Sequence, residues 1–490
     1  MSDLKISRQT LLAYLAKVEE KFPVDTWTIN KIHLWPLIKI DLFFRVVALE
    51  RRELAKKSSS KKSPLQLLGI VFRAFPSLVN YLWFRASSNK DKIQYFFSDS
   101  GSHRVWFEKT YINRYFYPLE EQIKEIKNNA SFLTINDDSH GYEKYPGDEH
   151  ILFIQKYIIG AKILRFLKGN NNHFDCSGFE EFRMGIQQEF PALKIRKTYK
   201  EELNNRVFNI LALSDVVDVL IERHQPKVIF ELCYYNTLRF AINYSAYRKK
   251  IPTIEIQHGG MGKGHVAYSG WGKVPQKGYN LLPQTFWAWD RNSEQTASEW
   301  SKNNLFHRTI LGGNPWLVFA LKHSRQYQFP YDKKIILLTL QTDLVREYIY
   351  EAIKDSPEAY EWWVRTHPRF PQIGMVFKEE LEKRGIYHRV VLDRANNYPL
   401  PVLLNKSGVH ISGSSGSILE AALMGVPSLI LNQAGEKYYQ GLIVSGEAFP
   451  VHPKTASHLL LLINKLLSRT SNGEPAVEHS DNIKILETVI

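Results

Sequence analysis

Cysteine is nearly absent: Cys176 and Cys233 are the only two in 490 residues. Two thiols so far apart give neither a disulfide framework nor zinc-type spacing. Long apolar runs are missing as well. No stretch reaches the roughly 18–20 residues a membrane-spanning helix needs. The opening Met1-Ser-Asp-Leu-Lys5 leads into no signal-peptide core. The familiar catalytic signatures are also lacking: there is no GxxxxGK[ST] loop, no GxGxxG fingerprint, no HExxH and no GxSxG elbow. These absences weigh against secreted disulfide scaffolds, membrane spans, P-loop NTPases, dehydrogenases, zinc proteases and esterases. A cytoplasmic protein is expected.

What is present is a long, aromatic, basic chain. Its length implies two or three domains, and 27 Phe, 25 Tyr and 11 Trp offer large groups to fill their cores. The formal charge is +14, and residues 1–92 hold 17 Lys/Arg against 8 Asp/Glu. Nucleic acid, an anionic membrane surface or a polyanionic glycan would each answer such a surplus; so would a solvated basic face. No nucleic-acid-binding module accompanies it, so nucleic acid is not an expected partner.

Residues 1–90 read as a helical, basic N-terminal region. Leu11–Val18 has helical spacing, His33–Phe44 is aromatic and amphipathic, Lys56–Pro64 is a basic Ser-rich linker, and Leu65–Phe84 is apolar again. Basic charge beside Trp and Phe suits a helix lying on a membrane; aromatics at helical spacing also suit a packed core. From residue 91 the pattern alternates. Strands are expected at 93–99, 131–135, 227–233, 252–256 and 285–289. Helices are expected at 119–126, 203–222, 238–249 and 291–307. Residues 139–200 look loop-rich, and 261–284 form a Gly-rich loop with no core pattern. After a strand and turn at 309–316, a second series begins with strands at 334–340, 360–368 and 387–392. It continues through Val409–Leu431 and a helix at 458–467. Alternation of this kind implies parallel sheets with right-handed crossovers. The domains read as 1–90, 91–320 on the acceptor side and 321–490 on the nucleotide side.

Three stretches carry candidate chemistry. In Glu255-Ile-Gln-His-Gly259, His258 stands at a strand end beside an open loop, where a histidine serves as a general base or a donor to phosphate; Gln257 and Gly259 flank it. Arg365-Thr-His-Pro-Arg369 gathers Arg365, His367 and Arg369 around a proline turn, and arginine forks match phosphate geometry. In Ser412-Gly-Ser-Ser-Gly-Ser417, the hydroxyls of Ser412, Ser414, Ser415 and Ser417 and the open backbone of Gly413 and Gly416 lead into a helix. Such a turn offers N–H groups to an anion. Glu420 on that helix complements the dipole or binds a ribose hydroxyl. Asp99 and Glu231 end apolar strands as candidate bases or as loop caps. Asn314, in Gly313-Asn-Pro-Trp316, either lines a cleft or forms a turn.

Together Ile256-Gln-His-Gly259, Gly312-Gly-Asn-Pro315, Arg365-Thr-His-Pro368 and Ser412–Pro427 resemble GT-B glycosyltransferases of bacterial surface-polysaccharide assembly. Teichoic-acid-type capsule polymerases and sialyl- and Kdo-transferases carry similar His-Pro and Ser-Ser elements. The resemblance covers about residues 91–450. It implies an α/β fold of two Rossmann-like domains facing a cleft, with His367, Ser414 and Ser415 on the donor phosphate and His258 near the reaction centre. It further implies a metal-independent transfer from a CMP-, CDP-, UDP- or GDP-linked sugar to a glycan or lipid-linked acceptor. Such an enzyme needs no cofactor and works in the cytoplasm or at the inner face of the membrane. Sugar-nucleotide 2-epimerases share the fold, but their Arg-Glu-x-Thr-Glu-Arg-Pro-Glu segment has no counterpart after Pro427. A non-catalytic glycan- or partner-binding scaffold is the remaining alternative.

Overall fold

A computed structural model describes residues 6–52, 64–87, 91–99, 101, 103–144, 146–147, 150–169, 173–341, 345–367, 372–468 and 482–490. The chain forms two compact units. The first comprises Met1–Arg104, Tyr111–Gly312 and Ile483–Ile490; the second comprises Val105–Thr110 and Gly313–Asn482.

The first unit is built on seven parallel strands. In chain order they are β1 (Tyr95–Ser98), β2 (Phe132–Asn136), β3 (Ile151–Phe153), β4 (Val228–Glu231), β5 (Thr253–Ile256), β6 (Thr285–Ala288) and β7 (Arg308–Leu311). Their spatial order is β3-β2-β1-β4-β5-β6-β7. The second unit has six parallel strands: β8 (Lys334–Leu340), β9 (Tyr360–Thr366), β10 (Val390–Val391), β11 (Ser407–Ser412), β12 (Ser428–Ile430) and β13 (Ala448–Pro450). They run β10-β9-β8-β11-β12-β13. Both orders are the doubly wound pattern in which the winding reverses beside the first strand. Each unit is therefore Rossmann-like. Helices cover both sheet faces, which is why β8 reads as the nearly continuous apolar run Ile335-Ile-Leu-Leu-Thr-Leu340.

The N-terminal helices Arg8–Lys21 and Trp35–Arg52 share one apolar core with the first sheet, and Trp27 and Trp35 are fully buried there. A buried ion pair joins them to the loop that follows β5. Lys39 Nζ lies 2.8 Å from Glu19 Oε1, which also accepts the Trp35 indole N–H at 2.6 Å. Glu19 takes the Gly272 N–H as well, and the Lys39 ammonium sits over the Trp271 ring.

Several expectations fall here. Residues 139–200 are not mainly loop: they hold β3 and the helices Gln155–Leu167 and Phe179–Glu189. Residues 261–284 form no regular element, yet Met261, Tyr268, Trp271, Tyr279 and Leu282 are all buried. The expected helix over 291–307 stops at Ser301, and the strand expected at 387–392 is a 3₁₀ turn followed by the two-residue β10. Among the described residues no helix is long and apolar enough to cross a membrane.

Candidate active site at the strand ends

In a doubly wound sheet, the strands flanking the order reversal send the chain to opposite faces and leave a crevice beyond their carboxyl ends. In the first unit these strands are β1 and β4. Asp99 follows β1 directly and is fully buried. His103 Nδ1 lies 2.9 Å from Asp99 Oδ1, and the Asn113 amide donates to Oδ2. Asn113 Oδ1 in turn accepts the N–H groups of Tyr115 and Phe116 at 2.9 and 3.1 Å. The start of the helix Phe116–Ile126 thus positions the amide that positions the carboxylate. Burial holds the His103 pKa below the usual imidazole value against the opposing pull of Asp99. The ring is neutral at pH 7. Its Nδ1–H faces Asp99 and its Nε2 keeps a lone pair for accepting a proton.

His258 reaches the same place from β5, with ring centroids 5.8 Å from His103. Its Nε2 is 3.0 Å from Cys233 Sγ and 3.3 Å from Tyr235 Oη, and Tyr115 donates to its carbonyl at 3.0 Å. Cys233 has a left-handed φ of 54°, a conformation that costs a side-chain-bearing residue energy. Rings continue outward: Tyr235 to His265 at 5.5 Å and Tyr235 to Phe44 at 5.7 Å. Burial drives His265 down to about 3, so it too is uncharged.

Glu231 does not fit the role of base. It is fully buried, accepts from Asn243 Nδ2 at 2.7 Å, and burial raises its carboxyl to about 8. At neutral pH it carries its proton. Glu255, directly beside it across the β4–β5 ladder, is raised to about 8 by the same desolvation. Its Oε1 accepts the Tyr268 hydroxyl at 2.9 Å. Gln257 is likewise committed to the fold. Its amide donates to Gly259 O at 2.8 Å and Ser293 Oγ at 3.0 Å, and its Oε1 accepts the Trp289 N–H at 2.6 Å. Gly259, half-buried, has open space where a side chain would begin.

In the second unit the reversal falls between β8 and β11. A closed network of neutral groups fills its interior around Thr339. Burial pushes His410 down to about 3, so its ring has one N–H. His410 Nδ1 is 2.8 Å from Ser428 Oγ and Nε2 is 3.0 Å from Thr339 Oγ1. Thr339 donates to Ser412 Oγ at 2.8 Å, Ser412 donates to the Thr339 carbonyl at 3.3 Å, and Ser417 Oγ lies 3.0 Å from Thr339 Oγ1. One proton assignment satisfies every contact: Ser428 to His410 Nδ1, and His410 Nε2–H and Ser417 O–H to Thr339. Ser412 and Ser417, expected on a ligand phosphate, are instead buried members of this network.

The turn between them faces outward. Gly413, Ser414 and Ser415 are half-buried and Gly416 is exposed. Ser414 donates to Gln341 Oε1 from its N–H at 2.9 Å and its hydroxyl at 3.2 Å. Tyr439 donates to the Ser415 carbonyl at 2.8 Å. A Cβ at Gly413 would stand 2.5 Å from Asn432 Nδ2, so that side chain would have to shift. Glu420 is buried, and its charge adds to the burial that raises the Tyr439 pKa.

Arg365 also departs from expectation. Its guanidinium donates to the carbonyls of Ala395 at 2.7 Å, Asn396 at 3.4 Å and Tyr398, tying β9 to the end of the helix Asp393–Asn397. His367, half-buried, follows β9 by one residue; Arg369 lies outside the described residues. Asn314 caps the helix Pro315–Lys322 by accepting the Trp316 N–H at 3.1 Å, so it serves the turn. Among the described residues no three His, Cys, Asp or Glu side chains converge as a metal site would need.

The sequence reading passed over His103, Cys233, Tyr235 and Gln341. All four share one legible signal, a position just beyond the carboxyl end of an apolar strand at a winding reversal. That signal becomes readable only once strand order is known.

Two Rossmann-like units in one chain are the make-up of the GT-B class. No protein-family model matches the sequence, and no curated protein matches it significantly. Solved structures resemble it in outline. The UDP-GlcNAc 2-epimerase of Methanocaldococcus jannaschii is 12% identical, with 81% of this chain and 99% of its own aligned at a TM-score of 0.49. The Neisseria meningitidis UDP-GlcNAc 2-epimerase bound to UDP-GlcNAc is 16% identical over 81% and 99%, at 0.48. CalG4, the calicheamicin glycosyltransferase, is 11% identical over 81% and 97%, at 0.43. Likeness of this order leaves the activity to be argued from the side chains.

Proposed function

We propose that this protein is a glycosyltransferase that moves a sugar from a nucleotide-activated donor to a growing bacterial surface glycan, free or lipid-linked. The observation that carries the reading is the Asp99–His103 pair at the winding reversal of the first unit. A buried carboxylate orients a neutral imidazole whose Nε2 faces away from it. Sugar transfer by direct displacement uses such a base. The acceptor hydroxyl oxygen bonds to the anomeric carbon, the bond from that carbon to the donor phosphate breaks, and the acceptor proton passes to His103 Nε2. Asp99 holds the Nδ1–H and stabilises the imidazolium that forms. His258, close by, is a second donor or acceptor for the sugar hydroxyls.

The second unit supplies the donor side. His367 and the Ser414–Gly416 turn stand at the carboxyl ends of β9 and β11, one strand apart on either side of β8. Neighbouring strands are about 4.8 Å apart, so the two groups span roughly 10 Å, the scale of a pyrophosphate with its sugar. Charge that develops on the leaving phosphate would be met by the His367 ring and by serine hydroxyls.

The test combines binding and turnover. CMP, CDP, UDP and GDP compounds are screened for a rise in melting temperature, because a ligand that binds only the folded state stabilises it. The best is then supplied as its sugar conjugate with glycan acceptors. His103→Ala is expected to lower turnover about 10²–10⁴-fold while the nucleotide-induced shift persists. Conversion of the nucleotide sugar to its epimer without acceptor would mark an epimerase instead. No shift with any compound would mark a scaffold.

A further inference from the structure

The helix Pro64–Ala86 is apolar on two opposite sides. One side is fixed to the first unit. Ser77, Tyr81 and Phe84, spaced i, i+4 and i+7, are buried. Ser77 Oγ donates to Lys156 O at 2.8 Å and accepts the Gly160 N–H at 3.0 Å. Gly160 admits no Cβ, which would lie 2.4 Å from the Ser77 carbonyl. Phe84 stacks on Tyr157 at 4.3 Å, and Arg223 holds the carbonyls of Phe84 and Ser87 at the helix end. The other side carries Phe75, Val79, Leu82 and Trp83, which are 73%, 47%, 46% and 71% exposed. Their spacing, i, i+4, i+7 and i+8, makes a roughly 100°-wide apolar stripe of the kind that normally faces a core. Among the described residues nothing covers it.

Charge identifies what would. Residues 51–90 hold nine Lys/Arg and one acid, Glu53. The helix packed against this one, Gln155–Leu167, contains no acid; its Arg165 is paired with Asp215 at 2.8 Å, its Lys156 and Lys162 with no acid among the described residues, and it runs into exposed Phe166, Leu167 and Lys168. Exposed Arg85 flanks the stripe. A second copy of the chain would bring the same cationic face against itself, and like charges repel. An anionic bilayer accepts both features, with the apolar stripe and Trp83 at the headgroup boundary and the cations on acidic lipids.

We propose that the stripe Phe75–Val79–Leu82–Trp83 docks the protein on an anionic lipid surface. This docking is independent of the sugar-transfer reading and would hold for a protein of another activity. The test is flotation of the full chain with phosphatidylcholine vesicles, either alone or containing about 30% phosphatidylglycerol. The protein is expected to float with the anionic vesicles, to remain behind with the neutral ones, and to be released as salt approaches about 0.5 M. The double variant Leu82→Glu/Trp83→Glu is expected to lose at least about tenfold in vesicle affinity. Tyr331→Glu, at a fully exposed site in the second unit, should lose none. Melting temperatures check that both variants fold; should the double variant melt early, Val79→Glu alone repeats the test. Equal binding to neutral vesicles overturns the proposal, as does unchanged binding by the double variant. So does a wild-type dimer in light scattering that binds no vesicles and that the double variant dissolves, which would assign the stripe to a contact between copies.

Discussion

The two winding reversals share a strand order and differ in chemistry. Beyond β1 and β4, and beyond neighbouring β5, stand a carboxyl, two imidazoles, a thiol and a phenol: Asp99, His103, His258, Cys233 and Tyr235. Beneath the corresponding turn of the second unit, Thr339, His410, Ser412, Ser417 and Ser428 form a neutral network closed upon itself. The first arrangement leaves an imidazole nitrogen available for proton transfer. The second uses its histidine to hold a sheet together. One fold can place the same residue type at equivalent edges for opposite purposes, and burial together with hydrogen-bond partners decides which.

The sharpest way to break this comparison is to remove one histidine from each edge. His103→Ala should lower turnover about 10²–10⁴-fold, over and above the stability lost when buried Asp99 Oδ1 loses its donor. The remaining wild-type activity should fall at acid pH, through a value below 6.5, because burial lowers the His103 pKa and only the neutral ring accepts a proton. A limb above 6.5 in the kcat/KM profile would assign the base elsewhere.

His410 should instead appear in stability. Its pKa is about 3 in the fold against 6.5 in the unfolded chain. Between those values the unfolded state binds a proton that the folded state refuses. The contribution is complete above pH 6.5 and is lost as pH falls toward 3, on the order of 5 kcal/mol in all. Acid unfolding of the second unit, followed from pH 7 to 3, measures it. Thr339→Val leaves the His410 N–H and the Ser417 hydroxyl without their acceptor and Ser412 Oγ without its donor. It should destabilise that unit by about 2–4 kcal/mol in urea melts, with no protonation requirement.

Effects on the outward turn should be smaller. His367→Ala is expected to weaken nucleotide binding about tenfold, the scale of one charge-assisted hydrogen bond, as read by calorimetry. Ser414→Ala should change stability by less than about 1 kcal/mol, because the Ser414 N–H still donates to Gln341 when the hydroxyl is gone. A loss at Ser414 as large as that at Thr339 would erase the distinction between turn and network.

Much of the fold was legible. Lys334–Leu340 and Thr253–Ile256 are apolar, bounded by turn residues, and appear as strands close to where their pattern puts them. The misses have physical causes. Gln155–Leu167 mixes Lys and Arg with its apolar residues, and its helical face becomes clear only where Gly160 meets Ser77. Residues 261–284 have no periodicity because they are buried as irregular chain, held by Lys39 and Glu19 from helices more than two hundred residues away. At the site, His258 and Asp99 were visible as strand-end polar residues. Arg365 was visible as a cation, but not that three carbonyls around residues 395–398 would take its guanidinium.

The sequence by itself determined the class of elements: apolar strands, helices between them, and polar residues at the strand ends, because hydrophobic periodicity and turn chemistry are local. It also determined the basic, aromatic character of the first ninety residues. Only the tertiary structure decided which strand-end residues meet, since strand order brings β1 beside β4 although more than a hundred residues separate them. It also decided which residues keep a usable proton site. Asp99, Glu231 and Glu255 are all carboxyls at or near strand ends and all are buried. Asp99 is met by an imidazole and an amide, whereas desolvation raises Glu231 and Glu255 to about 8. Desolvation and partner geometry are properties of the packed chain, and no spacing in the sequence encodes them.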